Sequence, residues 1–208
     1  MINFNEDGWT DFERCQTGKY EERSFAIGQF LDDKFVVCGG AGNALVRKNY
    51  CEVIDETGTQ TFNMSANSRL FASSVKLNKS IMWITGGYDV NNIVLSSTEF
   101  VTVNGSTAGV NLPFTVYDHC MVQYQQDAIL LIGGTQNRKQ YSGKTWIIDT
   151  INGFNITEGP DLKQGRRSHS CGKMKDEYGN VLVIVAGGYR INSVEVLNTT
   201  LMKEWVKG

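Results

Sequence analysis

Four short apolar runs punctuate the chain, and each ends in a glycine pair. They are Phe35-Val36-Val37-Cys38-Gly39-Gly40, Ile81-Met82-Trp83-Ile84-Thr85-Gly86-Gly87, Ile129-Leu130-Leu131-Ile132-Gly133-Gly134 and Leu182-Val183-Ile184-Val185-Ala186-Gly187-Gly188. Each run is short and rich in β-branched residues, which predicts a strand covered on both faces. A helix would need a longer span and a 3.6-residue period. The first glycines stand at 39, 86, 133 and 187, giving steps of 47, 47 and 54. Self-similarity at about 50 residues is the mark of a repeat architecture built from small sheets.

The surroundings of each pair repeat as well. A first strand is expected about a dozen residues upstream, over 23–27, 69–73, 117–121 and 167–171. Three of these four segments open on arginine: Arg23, Arg69 and Arg167. Polar turns such as Leu77-Asn78-Lys79-Ser80 separate them from the apolar runs. Downstream come a loop of variable length and a third strand holding Glu52, Glu99, Trp146 or Glu195. A turn rich in Asp, Asn, Gly and Thr follows, with residue types that tolerate positive φ. A weaker fourth strand then carries or adjoins Phe62, Phe154 or Trp205. Each unit therefore predicts four antiparallel strands. One such sheet cannot bury both its faces, and stacking against its neighbours does so.

These units resemble kelch repeats. The likeness rests on Gly-Gly after an apolar strand, on the tyrosine after it in Gly86-Gly87-Tyr88 and Gly187-Gly188-Tyr189, on Ser97-Thr98-Glu99 and Ser193-Val194-Glu195, on Trp205, and on the arginines that open the first strands. The third unit departs from the pattern, with Tyr117, Thr135 and Trp146 at the arginine, tyrosine and glutamate places. The resemblance implies an all-β, kelch-type β-propeller with repeats at 20–66, 67–113, 114–162 and 163–208. The four four-stranded blades would form an open arc or incomplete ring. Residues 1–19 add a leading outer strand, Gly8-Trp9-Thr10-Asp11-Phe12, from a preceding blade. Kelch rings have five to seven blades, so four units and a leading strand suggest a piece of a longer chain. The alternative is a compact four-bladed ring with an extra edge strand.

Composition narrows the function classes. The 208 residues include 22 Gly and two Pro, which suits many turns and leaves no Pro-rich linker. A net charge of −2 argues against nucleic acid as a main partner. The basic group Lys163, Arg166, Arg167, Lys173 and Lys175 reads as a solvated sheet edge. The longest apolar run, residues 181–186, is too short to span a bilayer, and Met1-Ile2-Asn3-Phe4-Asn5-Glu6-Asp7 does not resemble a signal peptide. The five cysteines, Cys15, Cys38, Cys51, Cys120 and Cys171, form no CxxC or metal-ligand spacing. Cys38 is expected to be a small apolar core residue. Cys120 and Cys171, in neighbouring first strands, can pair or remain thiols.

No catalytic, metal or cofactor site emerges. His119 and His169 take equivalent places in units three and four, where Phe25 and Phe71 are expected in units one and two, and that exchange points to packing. Gly39-Gly40-Ala41-Gly42 lacks the following helix that a phosphate loop requires. The kelch resemblance instead implies a protein- or peptide-binding face ringed by Arg23, Arg69, Arg167, Tyr88 and Tyr189. Arginine forks suit carboxylates, and tyrosine supplies rigid contact area. A structural role for the arginines, paired with Glu52, Glu99 or Glu195, is equally open. The loops at 41–48, 89–94 and 135–143 vary most and are expected to set specificity. Sequons at Asn63, Asn78, Asn104, Asn155 and Asn198 fall in turns or outer strands and favour a secreted or extracellular setting over a cytoplasmic one. The leading expectation is a non-catalytic binding module. A galactose-oxidase-like or other kelch-fold enzyme and an inert structural fragment are the alternatives.

Overall fold

The computed structural model describes residues 22–43, 46–65, 68–136 and 140–208. The expected leading strand at Gly8–Phe12, and Cys15, lie outside them. The fold is all-β, with no α-helix among the described residues. Among the described residues sixteen strands form four sheets, each of four antiparallel strands in sequence order. Sheet one holds β1 (Ile27–Leu31), β2 (Lys34–Cys38), β3 (Tyr50–Asp55) and β4 (Gly58–Asn63). Sheet two holds β5 (Ser73–Lys76), β6 (Met82–Thr85), β7 (Thr98–Thr102) and β8 (Gly105–Ala108). Sheet three holds β9 (Cys120–Gln125), β10 (Ala128–Ile132), β11 (Thr145–Asp149) and β12 (Asn155–Glu158). Sheet four holds β13 (Ser170–Lys175), β14 (Val181–Ala186), β15 (Val194–Asn198) and β16 (Val206–Lys207).

The sheets stack in chain order through their first strands, β1 on β5, β5 on β9 and β9 on β13. Each junction encloses one apolar core. Val36, Cys38 and Val53 meet Met82 and Ile84 between sheets one and two. Trp83 and Val75 meet Ile129 and Leu131 between two and three. Leu130 and Ile132 meet Val183 and Val185 between three and four. Alternation along a strand sends neighbouring side chains to opposite faces. Each second strand thus has a trailing face toward the next sheet and a leading face toward the previous one.

The glycine pairs belong to these junctions. Gly39, Gly86 and Gly133 have φ of 63°, 59° and 63°, a left-handed conformation that suits glycine. A Cβ on them would lie 2.7, 2.2 and 2.7 Å from the carbonyl oxygens of Arg69, Val116 and Arg166 in the following sheet. The next residue donates its N–H to that same carbonyl: Gly40 to Arg69 at 2.9 Å, Gly87 to Val116 at 2.8 Å and Gly134 to Arg166 at 2.8 Å. The pair is thus a backbone-to-backbone seam between sheets, and any side chain would wedge it open.

Two expectations are corrected. The first strands begin three or four residues later than the sequence suggests. Phe25, Phe71, Asp118 and Ser168 adopt φ of 57°, 55°, 56° and 52°, which turns the chain before each strand. Cys38 is buried as expected but is not a lone core thiol. It bonds to Cys51, its direct partner across β2 and β3, with Cα atoms 4.0 Å apart. A second disulfide, Cys120–Cys171, ties β9 of sheet three to β13 of sheet four.

Candidate functional site

The positive-φ residues give the alignment of the four units, and it differs by one residue from the sequence expectation. Arg23, Arg69, Val116 and Arg166 are counterparts, two residues before each positive-φ position. Arg167 therefore does not match Arg23 and Arg69; Arg166 does. Likewise, Ala26 and Ala72, rather than Phe25 and Phe71, occupy the place of His119 and His169. A Cβ on Gly40, Gly87 or Gly134 would meet the Cβ of Ala26, Ala72 or His119 within 3 Å.

The aligned arginines form clamps inside their sheets. Arg69 is fully buried and pairs with Glu99 through Nε at 3.0 Å. Its Nη1 donates to the Gly86 and Ser97 carbonyls at 2.9 and 2.8 Å, and Nη2 to Ser97 Oγ at 3.0 Å. Arg166 repeats this with Glu195 at 2.6 Å and the Gly187 and Ser193 carbonyls at 2.8 and 3.0 Å. Arg23 reaches Glu52 at 3.1 Å and the Gly39 carbonyl at 2.8 Å. The free glutamate oxygens serve the junction: Ser65 N–H donates to Glu99 Oε2 and Lys163 N–H to Glu195 Oε2. In the Arg69 clamp these added hydrogen bonds offset the desolvation of two buried charges, whereas Arg166 leaves its buried Nε without a partner. Burial pulls the Arg69 guanidinium below its ordinary range, and Glu99 opposes that shift. Sheet three replaces the device with apolar packing, Val116 at the arginine place and Trp146 stacked on Phe114 at 4.1 Å.

The accessible chemistry lies next to the clamps, where the segment before each first strand pairs with the residue after the glycines. Ser24 bridges Ala41, Leu70 bridges Tyr88, and Tyr117 bridges Thr135. Tyr189 N–H donates to the Arg167 carbonyl at 2.9 Å in the same way. The turned residues link sheet to sheet, Asp118 N–H to the Phe71 carbonyl at 2.8 Å and Ser168 N–H to the Asp118 carbonyl at 3.0 Å. A line of rings follows: Phe25 on Phe71 at 4.2 Å, Phe71 edge-on to Tyr88 at 5.9 Å, and Tyr88 against Tyr117 at 4.2 Å. It continues in a polar end. Arg167 pairs with Asp118 at 2.9 Å and lies over the Tyr189 and Tyr141 rings at 4.6 and 5.1 Å.

Of the five residues the sequence nominated, this face brings Tyr88, Tyr189 and Arg167 together, and only Tyr189 is well exposed, at 43 %. Tyr88 is buried within the ring line, and Arg69 has no accessible surface. Phe25, Phe71, Tyr117, Asp118 and Tyr141 are members that the sequence did not nominate. For Phe25, Phe71 and Asp118 the signal was their place two residues after the clamp position, visible only once the one-residue offset is known; no such spacing marks Tyr117 or Tyr141. Phe25 is 49 % exposed, and Val46, Val90 and Ile93 project from the loops after the first two glycine pairs. Arg47 hydrogen-bonds Asn92 and joins those loops.

The two histidines lie under this face. His119 accepts or donates a hydrogen bond at 2.7 Å to Thr85 Oγ1 across the second junction. Burial, assisted by His169, pushes His119 down to about 3. Burial and then the Arg166 charge push His169 down to about 4. Both are neutral at pH 7. Among the described residues no group of three or more His, Cys, Asp or Glu is placed to hold a metal ion, and no helix is long and apolar enough to cross a membrane. No known family model and no curated protein matches the chain.

Proposed function

We propose that the four sheets are blades of a kelch-type β-propeller, and that the chain is a non-catalytic module presenting the aromatic face to a protein or peptide. The observation that carries this is the ring line from Phe25 to Tyr117 ending in the Arg167–Asp118–Tyr189 group, set on four turned residues of which Phe71, Asp118 and Ser168 are linked by backbone hydrogen bonds. Non-glycine residues held at positive φ mark sites where the surrounding structure over-determines the backbone. Exposed aromatics beside an arginine, bordered by the aliphatic tips Val46, Val90 and Ile93, match what protein contacts use. The contact residues in this proposal are Phe25, Arg167 and Tyr189. Arg23 and Arg69 act through the frame.

Selection of a phage-displayed peptide library on immobilised protein tests the proposal. Enriched peptides should lose binding to Tyr189→Ala and Phe25→Ala proteins whose melting temperatures stay within a few degrees of wild type. No enrichment, or peptides indifferent to both substitutions, would refute it.

The compartment belongs to the same proposal. Two disulfides and exposed asparagines at Asn63, Asn78, Asn104 and Asn155 support a secreted or extracellular setting. Asn198 is partly buried, and its Oδ1 accepts the Thr200 N–H. Mass spectrometry after alkylation without reductant should leave Cys38, Cys51, Cys120 and Cys171 unlabelled. Glycosidase treatment of the secreted protein should lower its mass.

A further inference from the structure

The three junctions inside the chain share one construction, and the two ends of the stack carry its separate halves. On the trailing side, Val36 and Cys38 of sheet one, Trp83 and Thr85 of sheet two, and Leu130 and Ile132 of sheet three are fully buried. Their counterparts in sheet four, Ile184 and Ala186, are partly buried and exposed. On the leading side, Met82 and Ile84, Ile129 and Leu131, and Val183 and Val185 are buried, whereas Phe35 and Val37 of sheet one are only partly so.

The backbone seam is divided in the same way. Gly187 has φ of 66°, like its three counterparts, yet a Cβ there would find nothing nearer than the Ile191 carbonyl at 3.8 Å. Among the described residues the Gly188 N–H meets no backbone acceptor, and no backbone N–H reaches the carbonyl of Arg23, the counterpart of the three carbonyls used at the internal seams. The donor half is presented by sheet four and the acceptor half by sheet one.

The geometry points to a head-to-tail contact between copies of this chain, with sheet one of one copy seated on the trailing face of sheet four of another. Register places Met174, Leu182, Ile184, Val194, Val196 and Val206 on that trailing face, without a charge among them. Phe30, Phe35, Val37 and Ile54 share the leading face of sheet one, on which no sheet packs among the described residues, with Phe30 63 % exposed and its ring 5.2 Å from Phe35. Exposed apolar patches of this kind mark contact sites. The contact is heterologous, so it continues in one direction until a ring closes or the chain of copies stops. It rests on the sheet geometry alone and not on the partner face proposed above.

Sedimentation equilibrium of the full chain tests it, with Phe30→Glu and Met174→Glu as variants; both residues are exposed, so the fold tolerates the charges. Wild type is expected to rise above its 23.2 kDa monomer mass with concentration. Each variant alone should stay monomeric. An equimolar mixture should give about double the monomer mass and nothing larger, because Phe30→Glu keeps an intact sheet four and Met174→Glu an intact sheet one. Association abolished by only one substitution, or by neither, would overturn the proposal, as would a mixture that stays monomeric. A wild type that remains monomeric at tens of micromolar would overturn it too.

Discussion

Ile132-Gly133-Gly134 in sheet three and Ala186-Gly187-Gly188 in sheet four occupy the same place in their sheets and share one backbone conformation, with φ of 63° and 66° at the first glycine. The first lies against the Arg166 carbonyl of the next sheet; the second meets nothing nearer than the Ile191 carbonyl of its own unit, at 3.8 Å. The repeat writes the same residue pattern at both sites, and the environment divides them. Glycine at 133 answers a steric demand and a conformational one together, and glycine at 187 answers the conformational one alone.

Substitution at the glycines breaks the comparison most strongly. Gly86→Ala places a methyl 2.2 Å from the Val116 carbonyl at positive φ. Its expected cost exceeds about 4 kcal/mol. Gly187→Ala carries the backbone strain only, about 1–2 kcal/mol. Urea midpoints of the two variants measure the difference, and equal losses would mean that the junction does not depend on close backbone approach.

The two adjacent arginines give the next contrast. Arg166→Ala, like Arg69→Ala, strands a buried glutamate and should cost about 3–5 kcal/mol. Arg167→Ala removes a partly solvated pair with Asp118 and should cost about 1 kcal/mol or less. The same denaturation series decides it. Similar losses at 166 and 167 would contradict the alignment drawn from the positive-φ residues.

The histidines separate the third and fourth sheets from the first two, which carry Ala26 and Ala72 in their place. Folded values of about 3 and about 4 lie below the ordinary 6.5. Their contribution is complete above pH 6.5 and is lost as pH falls from there toward 4, because the unfolded chain binds the protons first. The slope should approach a tenfold loss in the folding equilibrium per pH unit per histidine. The His119→Ala, His169→Ala double variant should be less stable at pH 7 yet show a flatter profile between pH 7 and 5. An unchanged slope would show that other groups set the acid limit.

Much of the fold was legible in the sequence. Short apolar runs of strand length gave the second strands, and the spacing of the glycines gave four units. The Ser-x-Glu segments marked β7 and β15. The face was harder to read. Arg166-Arg167 offers two arginines for one clamp position, and only the turn at Ser168 decides between them. The Cys38–Cys51 pairing needs a register across β2 and β3 that depends on an intervening loop of variable length. The open faces left no trace in composition, since Ile184 is as apolar as the buried Leu130 that it matches.

Amide hydrogen exchange by NMR on dilute protein reads the seams residue by residue. Exchange should be slow at Gly40, Gly87 and Gly134, whose N–H groups are held by the next sheet at 2.8–2.9 Å, and rapid at Gly188, slowing there as concentration rises. A Gly188 amide as protected as the other three in the monomer would contradict that division of the seams.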